Sequence, residues 1–491
     1  MPFKFFYRVN EGFNKIITLR LVWWHSMLAQ PQTPPDESFL LFQLPIFLLM
    51  KLPSTRCIRT LGSRHIFTLS ITAAVIAFAG TATSYAADGS WTGLGVDSAW
   101  STIANWSGAS VPTSGNTATF NGAGNGKTTI TVGSQPISVM SFNNAATAAY
   151  TIGSSVGSGT LVMTPVGSNN ISITSAVTTN QRINSNLVIG TGAVATSKFQ
   201  NDSSTAGQNL TIAGDITAGT GGAPGVLGIT LDGLGVNSNG IITGSISNGG
   251  ASSVTITKTN TGTWTLGGSN TYTGTTTVSG GALRLTNTGA LTNSPVALSG
   301  ATLQLRSDTG GATFATGGAT LTGAPTLDAG SLSTGKGLTL NLGGTLSIGN
   351  LTATITGSNG YKVGFGPVSV TASGATFKAT TGNAVIGNIT GTNTAVNFTG
   401  SQPGNAITGV IAVGSGIVAY GVDGVTWNPA SWTVSGQNTY TGVTTVNFGT
   451  NLVLGADSTG NPGALTSGPV GTGVLAMNGG IISASSARTI G

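Results

Sequence analysis

The chain repeats itself, and that constrains its fold more than any other feature. Gly262-Thr-Trp-Thr-Leu-Gly-Gly-Ser-Asn-Thr-Tyr-Thr-Gly-Thr-Thr-Thr-Val278 returns as Ala430-Ser-Trp-Thr-Val-Ser-Gly-Gln-Asn-Thr-Tyr-Thr-Gly-Val-Thr-Thr-Val446. Trp264, Asn270, Tyr272, Gly274 and Val278 are each matched 168 positions later, by Trp432, Asn438, Tyr440, Gly442 and Val446. Leu283 and Leu285 then match Leu452 and Leu454 after one inserted residue, and Gly289-Ala-Leu-Thr292 matches Gly463-Ala-Leu-Thr466 after another short insertion. Self-similarity of this kind marks units that cannot bury their apolar face alone and must stack to do so. Between the copies, Leu338-Thr-Leu-Asn-Leu342, Thr345-Leu-Ser-Ile348 and Leu351-Thr-Ala-Thr-Ile-Thr356 alternate apolar with small polar residues and are punctuated by glycine. That is the period-two strand signal with turn breakers. No window offers a sustained 3.6-residue apolar stripe with caps, so the body of the chain is expected to be almost all β.

Composition decides whether such a chain is ordered. Charged residues are only 6% of the 491, glycine supplies 77, and 39% are hydrophobic at a mean hydropathy of +0.25. A disordered chain would combine low hydrophobicity with high charge, the opposite balance. The net charge of +6 lies mostly in the first 86 residues, which hold eight Lys/Arg against three acids. Beyond them ten basic residues face nine aspartates, so the basic footprint of a nucleic-acid binder is missing and no nucleic-acid partner is expected.

Those first residues read as a leader. His65 to Gly80 is an apolar stretch preceded by Lys51, Arg56, Arg59 and Arg64 and followed by a small-residue run, with Ser84 and Ala86 suited to a cleavage site. This is a secretory layout, cut after Ala86, and its apolar core is shorter than the roughly 20 residues of a membrane-spanning helix. Residues 50–86 are thus assigned as a signal peptide, with Met50 the better start. Residues 1–49 have no assigned fold, and a start-site error is one explanation for them. Cys57, both histidines and both glutamates all fall in the leader, leaving no disulfide framework for the exported product.

The segment from Thr263 to Leu285, TWTLGGSNTYTGTTTVSGGALRL, resembles the autotransporter-associated β-strand repeat, also called the passenger-associated transport repeat. The second copy departs from the pattern at Asn447-Phe-Gly-Thr-Asn-Leu-Val453, where the family would place a Gly-Gly-Thr-Leu-like turn. The resemblance implies a right-handed parallel β-helix, or β-solenoid, in a passenger that is secreted or displayed at the surface of a Gram-negative-type bacterium. It also implies that the repeats support export and folding at the outer membrane. On this reading residues 87–150 form a tryptophan-rich N-terminal module. Degenerate coils follow over 151–258, then repeat 1 over 259–305, further degenerate coils over 306–426, and repeat 2 over 427–491. Trp91, Trp100 and Trp106 in the first module resemble the start of exported repeat proteins. They suit a cap on the solenoid core, with a carbohydrate-stacking platform as the alternative. The sequence stops within repeat 2 and shows no run of amphipathic barrel strands. The expected partners are therefore export machinery or a barrel outside this chain, with surface polysaccharide or other cells as candidate targets.

Motifs for chemistry are thin. Gly153-Ser-Ser-Val-Gly157 matches a nucleophile elbow, yet no histidine beyond the leader can serve Ser155 as base. Gly122-Ala-Gly-Asn-Gly-Lys-Thr128 is one residue short of a phosphate loop and runs into a strand pattern rather than a helix. Asp232-Gly-Leu-Gly-Val-Asn-Ser-Asn-Gly240 is oxygen-rich but reads as a solvated turn rather than a calcium loop. No cofactor, metal site or catalytic residue is assigned. The reading is a non-enzymatic, adhesin-like structural passenger. The alternative is a polysaccharide-active β-helix enzyme using aspartates, which lie dispersed at 88, 97, 202, 215, 232, 308, 328, 423 and 457.

Overall fold

The computed structural model describes residues 87–164, 170–190, 196–219, 225–421, 427 and 429–490. The leader and signal-peptide readings, and Asp423, lie outside these residues. Helix within them is confined to three single 3-10 turns, Ile103–Asn105, Ser107–Ala109 and Gly124–Gly126. Everything else regular is β, and almost all of it is parallel.

The chain winds through faces in a fixed order. The first face is a 14-stranded sheet running from Gly89–Ser90 to Ile411–Ala412, and the second a 15-stranded sheet from Thr129–Ile130 to Leu475–Asn478. The third position in the order is filled by two shorter sheets, five strands from Ser134–Ile137 to Ile246–Ser247 and eight from Thr313–Phe314 to Ile481–Ala484. Within these faces each interior strand pairs in parallel with the strand one coil earlier and one coil later, as in Leu187↔Leu161 and Leu187↔Ile216. This is a β-solenoid, and its coils are continuous across residue 150. At about 4.8 Å per step the fifteen strands of the second face rise by about 70 Å.

Short strands with strict alternation explain why the stack closes. Thr117–Phe120, Thr160–Met163, Thr339–Leu342 and Asn451–Leu454 each point every second residue inward and bury it. Parallel pairing without register shift then aligns like with like. Phe377 pairs with Phe398 and Phe398 with Tyr420, their rings stacked at 5.9 and 5.3 Å, and Trp432 closes on Phe398 at 5.0 Å. At the front, Trp91, Trp100 and Trp106 are 2, 1 and 3% exposed. Trp106 sits 5.1 Å from Trp91 and 4.9 Å from Trp100, and all lead into Phe120 and Phe142, stacked at 4.9 Å.

Phe398 touches the aromatic residues of the coils on either side, so Phe398→Ala opens a void shared by three coils. A loss of about 3–5 kcal/mol is expected, read as a lower urea midpoint by far-UV circular dichroism.

Candidate functional site: the repeat corners

In each repeat one face loses its strand. Thr263–Leu266 lies on the second face and Thr276–Val278 on the first, so the third-face position between them is occupied by the irregular corner of residues 267–275. That corner sits above Ile246–Ser247, the last strand of the five-stranded sheet. The second copy does the same thing one face further on. Ser431–Val434 lies on the third face and Thr444–Asn447 on the second. The corner of residues 435–443 therefore covers Ile411–Ala412, the last strand of the first face.

Ending a sheet leaves backbone groups that the next strand would have met, and a buried orphan of this kind is expensive. Asn270 takes the strand's place. Its Oδ1 accepts the Ile246 N–H at 2.8 Å, its Nδ2 donates to the Ala290 carbonyl one coil later at 2.8 Å, and its own N–H donates to Gly289 at 3.0 Å. Asn438 repeats the set, accepting from Ile411 at 2.7 Å and donating to Pro469 at 2.7 Å and, from its backbone, to Gly468 at 3.0 Å. An amide carries its acceptor and its donor on two separate atoms that face opposite ways, so one short side chain reaches the coil before and the coil after, which a single hydroxyl oxygen does not do.

Tyrosine fills the corner. Tyr272 and Tyr440 are buried, with their hydroxyls bonded to Thr276 Oγ1 at 2.7 Å and Thr444 Oγ1 at 2.5 Å. Burial pushes the Tyr272 phenol up to about 12 and raises that of Tyr440 as well. Gly274 and Gly442 are required by close approach, because a Cβ there would lie 2.3 Å from the Val254 carbonyl and 2.1 Å from that of Gly416. Val278 and Val446 return the chain to the core. Trp264 donates from Nε1 to the Asp232 carbonyl at 2.9 Å and lies flat over Gly240, whose missing Cβ would be 2.3 Å from its ring. Trp432 is equally buried but stands over Asn405 instead. The departure of the second copy at Asn447-Phe448 coincides with an exposed ring pair, Trp427 and Phe448 at 5.5 Å.

A buried charge cluster, unforeseen in the sequence, borders the first repeat. Lys258 points inward, in register with Leu231 and Val278, at 0% exposure. Its ammonium donates to the carbonyls of Thr259, Asn260 and Gly280 at 2.5, 3.0 and 3.1 Å. Asp232 is 3% exposed, ion-paired with Lys198 and held by Asn260 and Thr259. The solvated-turn reading of Asp232 is therefore corrected. Its outward neighbours suggested water, but the residue falls at the end of a buried strand, Val226–Asp232, where only an ion pair makes a carboxylate tolerable. Burial opposes ionisation of Asp232, yet Lys198 and Asn260 outweigh it and hold the carboxyl below its ordinary range. Desolvation lowers the Lys258 ammonium to about 8, with Asp232 opposing.

All but one of the other described aspartates act as staples between coils. Asp88 accepts the Thr117 N–H, Asp202 that of Leu234, Asp215 that of Ser245, and Asp457 that of Thr489, each one coil on. The Ser333 hydroxyl, with the N–H groups of Gly335, Leu332 and Ser333, donates to Asp308 and holds its carboxyl down to about 2. Asp328 accepts from Thr356 at 2.6 Å and pairs with Arg306, and Asp97 closes its own turn at Ala99. Ser155 lies in an exposed turn closed by Ser158, and Lys127 donates to the carbonyls of Gly93 and Gly95 at 2.7 and 2.8 Å. Trp91, Trp100 and Trp106 send their indole N–H groups to the carbonyls of Lys127, Pro112 and Trp100. Their rings face one another rather than solvent.

Stacked parallel coils with a recurring strand-for-corner substitution define a repeat-bearing β-solenoid. The passenger-associated-transport-repeat model matches residues 256–285 and 429–450, so the chain carries two copies of that repeat, and repeat and solenoid together fit an autotransporter passenger. No curated protein and no solved structure matches the chain.

Asn438→Ala leaves the Ile411 N–H and the Pro469 carbonyl without partners, at about 1–3 kcal/mol for each buried group. Faster amide exchange at Ile411 than in the native chain is the expected readout. For Lys258 the sign follows from its lowered folded value. Between about 8 and the ordinary 10.5 the unfolded lysine keeps a proton that the folded one releases, so stability rises with pH across that window. Urea midpoints at pH 7.5 and 9.5 are expected to increase in that order for the native chain and to flatten in Lys258→Met.

Proposed function

We propose that this chain is a non-enzymatic, adhesin-like structural passenger, secreted or displayed at the surface of a Gram-negative-type bacterium. The observation that carries the reading is the asparagine corner. Asn270 and Asn438 each bind the coil before and the coil after, so a repeat consolidates only when three successive coils are in place. A chain that emerges at the outer membrane as an unfolded strand gains from such coupling, because each added coil completes hydrogen bonds of the one already outside. Trp91, Trp100 and Trp106 act as the cap at the far end of the stack, closing apolar surface that no earlier coil covers. The partners on this reading are export machinery or a barrel outside this chain. The outward faces of the coils would meet surface polysaccharide or other cells.

The described carboxylates support a scaffold rather than the aspartate-enzyme alternative. Asp88, Asp202, Asp215 and Asp457 are engaged with the N–H of the next coil, and Asp232 and Asp328 with cations.

Display is checked on cells making the full chain. Protease added outside is expected to cut the exported chain, and an Asn270→Ala/Asn438→Ala double variant is expected to reach the surface in severalfold lower amount at unchanged synthesis. A chain protected from external protease and found only inside the envelope would sink the reading.

A further inference from the structure

A second, shorter motif also recurs. Gly93-Leu-Gly-Val-Asp-Ser98 returns as Gly233-Leu-Gly-Val-Asn-Ser238. Each copy lies at the corner between the first and second faces, the earlier after Gly89–Ser90 and before the Ala99↔Thr131 bridge, the later between Val226–Asp232 and Asn239–Ile242. The two corners therefore share one edge of the solenoid, five steps apart along the first face, or about 24 Å at about 4.8 Å per step. Both present their leucine and valine to solvent. Leu94 and Val96 are 72 and 100% exposed, and Leu234 and Val236 63 and 78%. The four corners between them on this edge expose no large apolar side chain among the described residues.

Neighbouring coils pin both tips. Lys127 donates to the Gly93 and Gly95 carbonyls at 2.7 and 2.8 Å, and Asp202 accepts the Leu234 N–H at 3.0 Å. The N–H of the second glycine is taken by Asn105 Oδ1 at 2.8 Å in one tip and by Ser238 Oγ at 2.9 Å in the other. A Cβ at Gly93 would lie 2.0 Å from the Gly124 carbonyl oxygen, and one at Gly233 2.7 Å from that of Asn201, so each tip starts with backbone pressed on an adjacent coil. Held in this way, the leucines and valines cannot turn back onto the core. A single exposed apolar residue is ordinary, but the same rigid pair twice on one edge marks an interaction surface.

We infer that a second copy of this chain docks on this edge, running antiparallel, so that the 93–98 tip of each copy meets the 233–238 tip of the other. A two-fold axis brings two like tips on one edge together in both places at once. The one difference between the motifs selects the direction. Antiparallel docking sets Asp97 opposite Asn237, a carboxylate against an amide, whereas parallel docking sets Asp97 opposite Asp97 and costs repulsion. A bilayer fits less well, because membrane-surface elements combine apolar residues with cations or large aromatic rings, and neither hexapeptide contains either. Two aliphatic side chains per tip make a small interface, of the weak and reversible class. The inference goes beyond the passenger reading and does not depend on where the protein resides.

Sedimentation velocity of the purified full-length chain is expected to show monomer at about 1 μM and mostly dimer at about 200 μM. Because every junction uses one tip of each kind, Leu94→Ser alone and Leu234→Ser alone are each expected to weaken the dimer at least about tenfold, with unchanged circular dichroism. Direction is read with cysteines in a Cys57→Ser background. An equimolar mixture of Val96→Cys and Val236→Cys chains is expected to form disulfide-linked dimer with diamide severalfold faster than either variant alone. Like positions would lie about 24 Å apart in the pair, far beyond the roughly 5.5–6 Å between the Cα atoms of a disulfide. A chain that stays monomeric at about 200 μM, a dimer unmoved by either serine variant, or faster linkage within one variant than between the two would overturn the inference. So would binding to phosphatidylcholine vesicles that both serine variants abolish in a chain that never dimerises, since that assigns the tips to lipid.

Discussion

Everything in this molecule depends on the hydrogen bonds between one coil and the next. A coil of short strands has no internal ladder, so its N–H and C=O groups are satisfied only by the neighbouring coils. Strands solve this by parallel pairing without register shift. Corners cannot, and there the chain uses short polar side chains, with carboxylates at Asp202 and Asp215 and amides at Asn388 and Asn393 accepting N–H groups one coil later. The repeat is the extreme case, in which a whole strand is replaced and one asparagine takes over its bonds in both directions. Seen this way the motif is a device for ending a sheet on one face while the stack continues on the others.

Because the copies occupy different positions in the winding order, the first corner terminates the five-stranded sheet of the third face and the second terminates the 14-stranded first face. What the two copies share is therefore not a place on the surface but a relation to the sheet beneath. That accounts for the tolerance of Trp432 over Asn405 where Trp264 lies over Gly240. The ring must be buried, and which neighbour supplies the floor is a local matter of packing.

Much of the architecture was legible because alternation and glycine punctuation report directly on backbone geometry. Leu338-Thr-Leu-Asn-Leu342 announces its strand, and Thr339–Leu342 is one. The repeat residues were legible as a set, yet their roles were not, since Asn270 acts on groups twenty and twenty-four residues away in sequence. The same distance hid the staples. Dispersed aspartates look unrelated in one dimension, and only the coil period brings each beside its N–H. Lys258 was illegible for a different reason. Ile256-Thr-Lys258 follows strict alternation, and period two places the lysine inward, but a cation in that column is read from sequence as a strand end. Its three carbonyl acceptors come from turns whose shape no pattern encodes.

Coupling through corners has a consequence for how such a stack holds together. In a one-dimensional array stability is the sum of each coil's own terms and its interfaces, and a coil with weak internal bonding stands only by its neighbours. A strand spreads its bonds to the two neighbouring coils over a whole ladder, whereas the corner puts the bonds to both sides on one asparagine side chain and is sealed by a buried tyrosine. The corner therefore concentrates cooperativity at two points of a chain whose remaining coils are joined by similar, interchangeable contacts. Disturbing a strand should loosen its own neighbourhood, while disturbing a corner releases the terminated sheet, the next coil and the aromatic packing together. Selection acting on cohesion during stepwise folding would accordingly hold the Trp, Asn, Tyr and Gly of the corner and let the sequence between them drift, which is the contrast that first makes the repeats visible against the degenerate coils.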